Sequence, residues 1–206
     1  MSRFIRIFAG LGGLIFIGLI LFPVFGSRHI PTRRSVCQYN LKQIGFGFMQ
    51  YIQDYNERMP LVMGDSGWAS LLQPYLKSNS LFQCPSESSS TEIQTDPALT
   101  GYSDYFYNAQ LKQLPLSSFN EVWRTVMAAE GNNGQENTNA AYAKTQIPAA
   151  WRSDTASPAY RHLDTANYLF ADGHVKASKV AAISTNWKKD GLYFQAPKLE
   201  STSVPQ

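Results

Sequence analysis

His29, His162 and His174 are the only histidines in the 206 residues, and His29 borders a long apolar run, so imidazole chemistry has to use the other two. With Asp172, or with Glu130 further upstream, His162 and His174 supply the residue types of a metal or general-base site. Their spacing does not match one, because neither a helical nor a tight-loop ligand pair is present. A strand from Asn167 to Asp172 would span roughly 17 Å and put His162 at one end and Asp172 at the other. The role expected for these residues is therefore structural: His162 and Arg161 hydrogen-bonded to fix a loop, and Asp172 as turn chemistry. The chain has no Gly-x-Ser-x-Gly, phosphate loop or dinucleotide fingerprint, and its glycine cluster Gly10 to Gly13 falls inside the apolar run. No catalytic residue, metal site or cofactor is expected. A metal-dependent hydrolase working outside the cytoplasm ranks last among the functions considered.

The elements that position these residues follow from turn chemistry and periodicity. Asp172-Gly173 lies between Asn167-Tyr-Leu-Phe-Ala and His174-Val175, the pattern of a two-residue type I′ hairpin in which Gly173 supplies the positive φ. Such a loop pairs Ala171 with His174, Phe170 with Val175 and Tyr168 with Ala177, which places Tyr168, Phe170, Val175 and Ala177 on one core face. Upstream, Cys37, Leu41, Ile44, Phe48, Ile52 and Tyr55 recur every three or four residues and predict an amphipathic helix. Thr32 or Ser35 is its expected cap and Pro60 its expected end. Gly45 and Gly47 cost this helix about 2 kcal/mol relative to alanine. It should therefore dock its stripe, with Leu41, Ile44, Phe48 and Ile52 as the core face, on the sheet that holds the hairpin. Truncating any of these four to alanine is expected to cost about 2 to 5 kcal/mol.

Beyond Pro60 the chain reads as short strands at Tyr105 to Tyr107, Arg124 to Ala129, Asn167 to Ala171, His174 to Ala177 and Leu192 to Gln195, with a helical turn or two in Trp68 to Leu76. Ser78 to Asp104 and Gly131 to Pro148 are polar and read as exposed loops. Without alternating βαβ units, the expected class is α+β.

Charge separates the N-terminal part from the rest. Arg3, Arg6, Arg28, Arg33 and Arg34 are the basic residues of positions 1–35, which carry no acid, leaving 13 basic and 15 acidic residues thereafter. A slightly acidic body has no electrostatic basis for binding nucleic acid. Residues 7–25 carry no charge over 19 positions, about 28 Å as a helix, enough to cross a hydrocarbon core. The reading adopted is an uncleaved transmembrane anchor in contact with membrane lipid. A signal peptide cut after Val24-Phe25-Gly26, before Ser27, is the competing one. The arginines on the two flanks nearly balance and leave the orientation open. The organisation expected is a basic N-terminus (1–6), the anchor (7–25), a basic linker (26–34), a domain over 35–194 and a loose tail (195–206).

His162, nine intervening residues and then Asp172-Gly173-His174-Val175 resemble the C-terminal H-x(9)-D-G motif of prepilin-like (pseudopilin-like) bacterial proteins of the prepilin-type processing-associated, planctomycete-type group. Ser35-Val-Cys37-Gln-Tyr-Asn40-Leu41-Lys42-Gln43-Ile44-Gly45 resembles that family's segment after its membrane helix. Tyr51, Asp54, Pro60, Trp68, Leu72-Gln-Pro74-Tyr75, Phe82-Gln-Cys84-Pro85-Ser86, Tyr107-Asn108 and Arg124-Thr-Val-Met-Ala-Ala-Glu130 follow in the same order. The resemblance covers most of Ser35 to Lys176. It implies a pseudopilin-like architecture: an N-terminal membrane helix, then an amphipathic helix packed on a small antiparallel sheet. The start of the chain departs from the family, with no Gly cleavage point before a Phe-Thr-Leu-Ile-Glu-like segment. The first acidic residue is Asp54. The resemblance therefore implies fold and placement outside the cytoplasm more than entry into a filament.

That placement, in the bacterial inner membrane with a single pass and residues 36–206 outside, makes Cys37 and Cys84 a candidate disulfide. Two reduced, separately buried thiols are the competing arrangement. The expected function is a structural or assembly protein of an envelope or secretion system, of the type II secretion kind, with pilin-like or secretion components as partners. A polysaccharide- or polymer-binding domain using Trp123, Trp151 and Tyr142 is the alternative. Exposed coplanar aromatics would favour the alternative, buried ones the first reading.

Overall fold

The computed structural model describes residues 32–62, 67–87, 92–119, 121–184 and 192–193. The expected anchor at 7–25 and the tail at 195–206 lie outside them. Among the described residues no helix is long and apolar enough to cross a membrane. They fall, Thr32 apart, in the unit Arg33–Gln206.

Helix α1 runs over Arg33–Asp54 and buries Cys37, Leu41, Ile44, Phe48, Tyr51 and Ile52 on one side. Its end differs from expectation. Asn56 and Glu57 both take left-handed φ, 53° and 56°, and the Glu57 N–H donates back to the Ile52 carbonyl at 2.8 Å. This is a Schellman-type stop with asparagine in the glycine-like place, so the helix closes before Pro60 is reached. Tyr55 thus falls beyond the helical stripe. It is exposed and stacks on Tyr51, with ring centroids 4.2 Å apart.

A short helix, α2 (Trp68–Leu72), precedes the sheet. Strands β1 (Tyr105–Asn108), β2 (Val126–Glu130), β3 (Ala143–Lys144), β4 (Ala166–Phe170) and β5 (Val175–Ser178) form one five-stranded sheet in the order β3-β1-β2-β4-β5. β1 with β2, β2 with β4 and β4 with β5 are antiparallel. β3 lies parallel to β1, so the α+β domain has a mixed sheet in place of the antiparallel one expected. β6 (Ile183–Ser184) and β7 (Leu192–Tyr193) form a separate parallel pair.

The β4–β5 hairpin is correct in place and shifted by one in register. Leu169 faces Val175 and Tyr168 faces Lys176. The Gly173 N–H donates to Phe170 O and the Phe170 N–H to His174 O, which closes a three-residue loop with Gly173 at φ 86°. A turn followed by a left-handed glycine is the other hairpin that Asp-Gly accepts. The slip separates the four residues expected to share a face: Tyr168 and Phe170 join one core, and Val175 packs against the opposite one. Ala177 is only half-buried.

Both faces of the sheet are covered. Leu41, Ile44, Phe48 and Ile52 of α1 pack with Tyr105, Tyr107, Met127, Ala128 and Leu169. The Phe48 ring stacks with Trp68 at 5.6 Å and with Tyr107 at 5.5 Å. A register shift between Val126 and Ala128 lets the adjacent Met127 and Ala128 both join the helix-side core. On the other face Phe106, Val126, Ala129, Tyr168 and Phe170 pack with Ile147, Trp151 and Val180. The two polar segments expected as exposed loops therefore supply core: Phe82, Cys84 and Tyr102 from one, Ala140, Tyr142 and Ile147 from the other. Scattered single apolar residues carry no period, so they could not be told from loop composition.

The two helix glycines have different neighbours. A Cβ at Gly45 would lie 2.8 Å from Leu169 Cδ1 and 3.3 Å from the Gly173 carbonyl oxygen, whereas at Gly47 it would meet only the Leu76 side chain, from 3.0 Å. Leu169 is fully buried, and Leu76 is only partly so. Gly45→Ala should therefore destabilise by about 1 to 3 kcal/mol despite better helix propensity. Gly47→Ala should be neutral or stabilise by up to about 1 kcal/mol. Thermal unfolding of the two variants checks the pair; equal shifts would mean that α1 does not approach the hairpin as described.

Candidate functional site

The polar groups of the motif separate into two places at opposite ends of β4. At its start, His162 Nε2 lies 2.8 Å from Glu130 Oε1. The Asn167 side-chain amide donates to the same oxygen at 2.8 Å, and the Asn167 backbone N–H donates to Glu130 Oε2 at 3.0 Å. All three residues are buried. β2 and β4 are adjacent strands, so Glu130 at the end of one reaches Asn167 at the start of the other.

His162 is held by the turn that follows it. Its N–H donates to Thr165 O, and the Thr165 N–H donates to His162 O, at 2.9 and 3.3 Å. Between them Leu163 and Asp164 take φ of 53° and 66°, a primed turn without glycine. Leu163 stands 91% exposed at its tip. Arg161 pairs with Glu87 at 2.5 Å and also donates to the Asn132 carbonyl.

Cys37 of α1 and Cys84 are joined in a disulfide with Cα atoms 5.1 Å apart. It lies against the Glu130–His162 pair: one ligand-type atom from each of Cys37, Cys84, Glu130 and His162 falls within 4.8 Å of the others, and all four residues are buried. Asp104 closes the same region, accepting from the Cys84 N–H and from the Asn132 amide, both at 2.7 Å. Burial pushes its carboxyl above the usual carboxylate range, and those two donors and the nearby Arg161 offset part of that.

At the other end of β4, Asp172 Oδ1 accepts from the His174 backbone N–H at 3.1 Å and meets His174 Nδ1 at 2.6 Å. The His174 ring lies flat on Phe170, with centroids 4.4 Å apart. The structure thus does not bring His162 together with Asp172 or His174. His174 instead faces α1 across a shallow groove of about 420 Å³, lined also by Ser35, Gln38, Tyr39, Lys42 and Val175.

Trp151 and Tyr142 are each only 6% exposed, leaving Trp123 as the exposed member of the three aromatics considered for polymer binding. A cleft of about 600 Å³ does open beside Trp151, lined by polar groups such as Glu87, Asn132, Asp154 and Arg161.

Sequence reasoning gave Asn167 no role and considered Glu130 only as a possible ligand. The available signal was a polar residue inside an otherwise apolar strand, Asn167, and a carboxyl closing another, Glu130, since such groups are buried only with partners.

The site is thus a buried polar clasp behind a disulfide, in a two-faced α+β domain. Comparisons of the chain with protein-family models, with curated proteins and with solved structures found no match.

Proposed function

We propose that this chain is a membrane-anchored, pseudopilin-like structural or assembly protein that works through protein contacts made by the outward face of α1. The observation that carries this reading is the stripe Ser35, Tyr39, Lys42, Phe46 and Gln50, spaced at helical intervals and exposed along α1. Tyr39 and Phe46 stand 58% and 54% exposed in it. A surface helix ordinarily turns charged and polar residues to water. Two aromatics a double turn apart on that face supply the kind of amphipathic contact area that protein interfaces favour. The motif supports this surface: the Asp172-Gly173 turn braces α1 at Gly45, and His174 borders the groove beside Tyr39 and Lys42.

Burial of Trp151 and Tyr142 weighs against the polymer-binding alternative, which would need their rings exposed. Separation of His162 from Asp172 weighs against a hydrolytic site built on the motif.

The test is a double substitution, Tyr39→Glu with Phe46→Glu, in the full chain expressed in its native membrane. Both side chains are exposed, so the change in folding stability should stay within about 0.5 kcal/mol. Membrane proteins that co-purify with the unaltered chain should be lost from the variant. A variant that is equally stable and keeps every co-purifying neighbour would overturn the reading.

A further inference from the structure

We propose that the Cys37–Cys84 pair, once reduced, completes a tetrahedral zinc site with Glu130 and His162. The reading is independent of the function proposed above and rests on how the four residues are placed. Two cysteines, a histidine and a carboxyl are a donor set that zinc accepts, and the borderline-soft ion favours sulfur and imidazole. Their donor atoms lie within 4.8 Å of one another. A tetrahedral zinc ion at about 2.0 to 2.3 Å from each donor needs them about 3.3 to 3.8 Å apart: the widest pair must close by about 1 Å, His162 Nε2 and Glu130 Oε1, now 2.8 Å apart, must open by about 0.5 Å, and the two sulfurs must part from their bond of about 2 Å to about 3.8 Å.

The surroundings hold two of the donors in place without metal. Glu130 is fixed by both nitrogens of Asn167, and His162 by its turn with Thr165. Such outer contacts orient ligands in metal sites. Cys37 and Cys84 come from separate segments, one on a helix and one beside Pro85, with Cα atoms 5.1 Å apart, so their sulfurs can part by side-chain rotation. All four residues are buried, which makes the site a closed, structural one with no open position for substrate.

The chemistry balances with a dithiol as reductant. The dithiol gives two electrons and two protons to the Cys37–Cys84 bond and leaves as its own disulfide, producing two thiols. Zinc then displaces both thiol protons to solvent and is held by two thiolates, the Glu130 carboxylate and the His162 imidazole. In the reverse direction a disulfide oxidant takes two electrons from the thiolates and two protons from solvent and leaves as its dithiol, the Cys37–Cys84 bond re-forms and the ion departs, so metal and disulfide are alternative clasps for the same two segments.

The full chain, reduced with dithiothreitol under mild denaturant and desalted without oxygen, is titrated with Co²⁺ as the spectroscopic probe and then with Zn²⁺. The expected result is one Co²⁺ per chain, with a thiolate-to-cobalt charge-transfer band and the intense visible bands of a tetrahedral site, all abolished by Zn²⁺. Unreduced protein should show none of these. His162→Gln and Glu130→Gln should each weaken cobalt binding roughly tenfold or more. If reduction alone unfolds the chain, Zn²⁺ should restore its near-ultraviolet circular dichroism. X-ray absorption at the zinc edge of the unaltered chain covers the case in which the variants do not fold, and two sulfur and two nitrogen or oxygen neighbours are expected. Absence of a thiolate band in the reduced chain, unchanged affinity in both variants, failure of Zn²⁺ to restore an unfolded reduced chain, or a zinc shell of any other composition would overturn the proposal.

Discussion

Glu130→Ala is expected to remove about 3 to 5 kcal/mol of folding stability, read as a lower midpoint in urea with an unchanged slope. The side chain accepts from the Asn167 backbone N–H, accepts from the Asn167 amide and meets His162 Nε2, all within 3.0 Å. Its removal leaves those groups buried without their partner, and each orphaned polar group costs about 1 to 3 kcal/mol. Against a typical total of about 5 to 15 kcal/mol, the loss is a large fraction. Glu130→Gln fills the same space but offers Asn167 one acceptor where it had two, so a smaller loss of about 1 to 3 kcal/mol is expected. A change below about 1 kcal/mol for Glu130→Ala would show that the clasp at the start of β4 does not hold the fold.

The second large effect belongs to the disulfide. Cys37 and Cys84 are 47 positions apart, and in the chain-entropy treatment closing such a loop stabilises by about 4 kcal/mol. Replacing both by alanine should lower stability by about that much, and adding reductant should then leave the double variant unaffected. The bridge ties the first turns of α1 to the segment just before Pro85, where Asn40 also donates to the Gln83 carbonyl at 2.9 Å. The disulfide adjoins Glu130, so the two losses should not add: contacting residues share what they hold in place. Equal urea midpoints for the double variant and the unaltered chain would contradict the role assigned to the bridge.

What the sequence revealed and what it hid have separate physical origins. The stripe Cys37, Leu41, Ile44, Phe48 and Ile52 was legible because a docked helix repeats its apolar contacts at its own period. Its stop was not, since Asn56 in a left-handed conformation leaves a weaker mark than Pro60. Asp172-Gly173 announced a hairpin without choosing between two loop geometries, and one residue of loop length moved Val175 to the other face. β4 reads Ala-Asn-Tyr-Leu-Phe and is buried throughout, so no polar side was present to betray which core each residue joins. The clasp was hidden for a different reason. His162, Glu130, Asn167 and the cysteines come from five segments, and only the strand order β1-β2-β4 and the docking of α1 bring them together.

The motif residues thus shape and brace the domain, and α1 presents the surface on which the functional reading depends. The most direct measurement places a photo-crosslinking benzophenone side chain at Phe46 of the full chain in its native membrane. The control carries the same group at Lys179, which is exposed beside the far-side core residue Val180. The account predicts a discrete crosslinked protein from position 46 and none from position 179. No product at 46, or the same products from both positions, would contradict it.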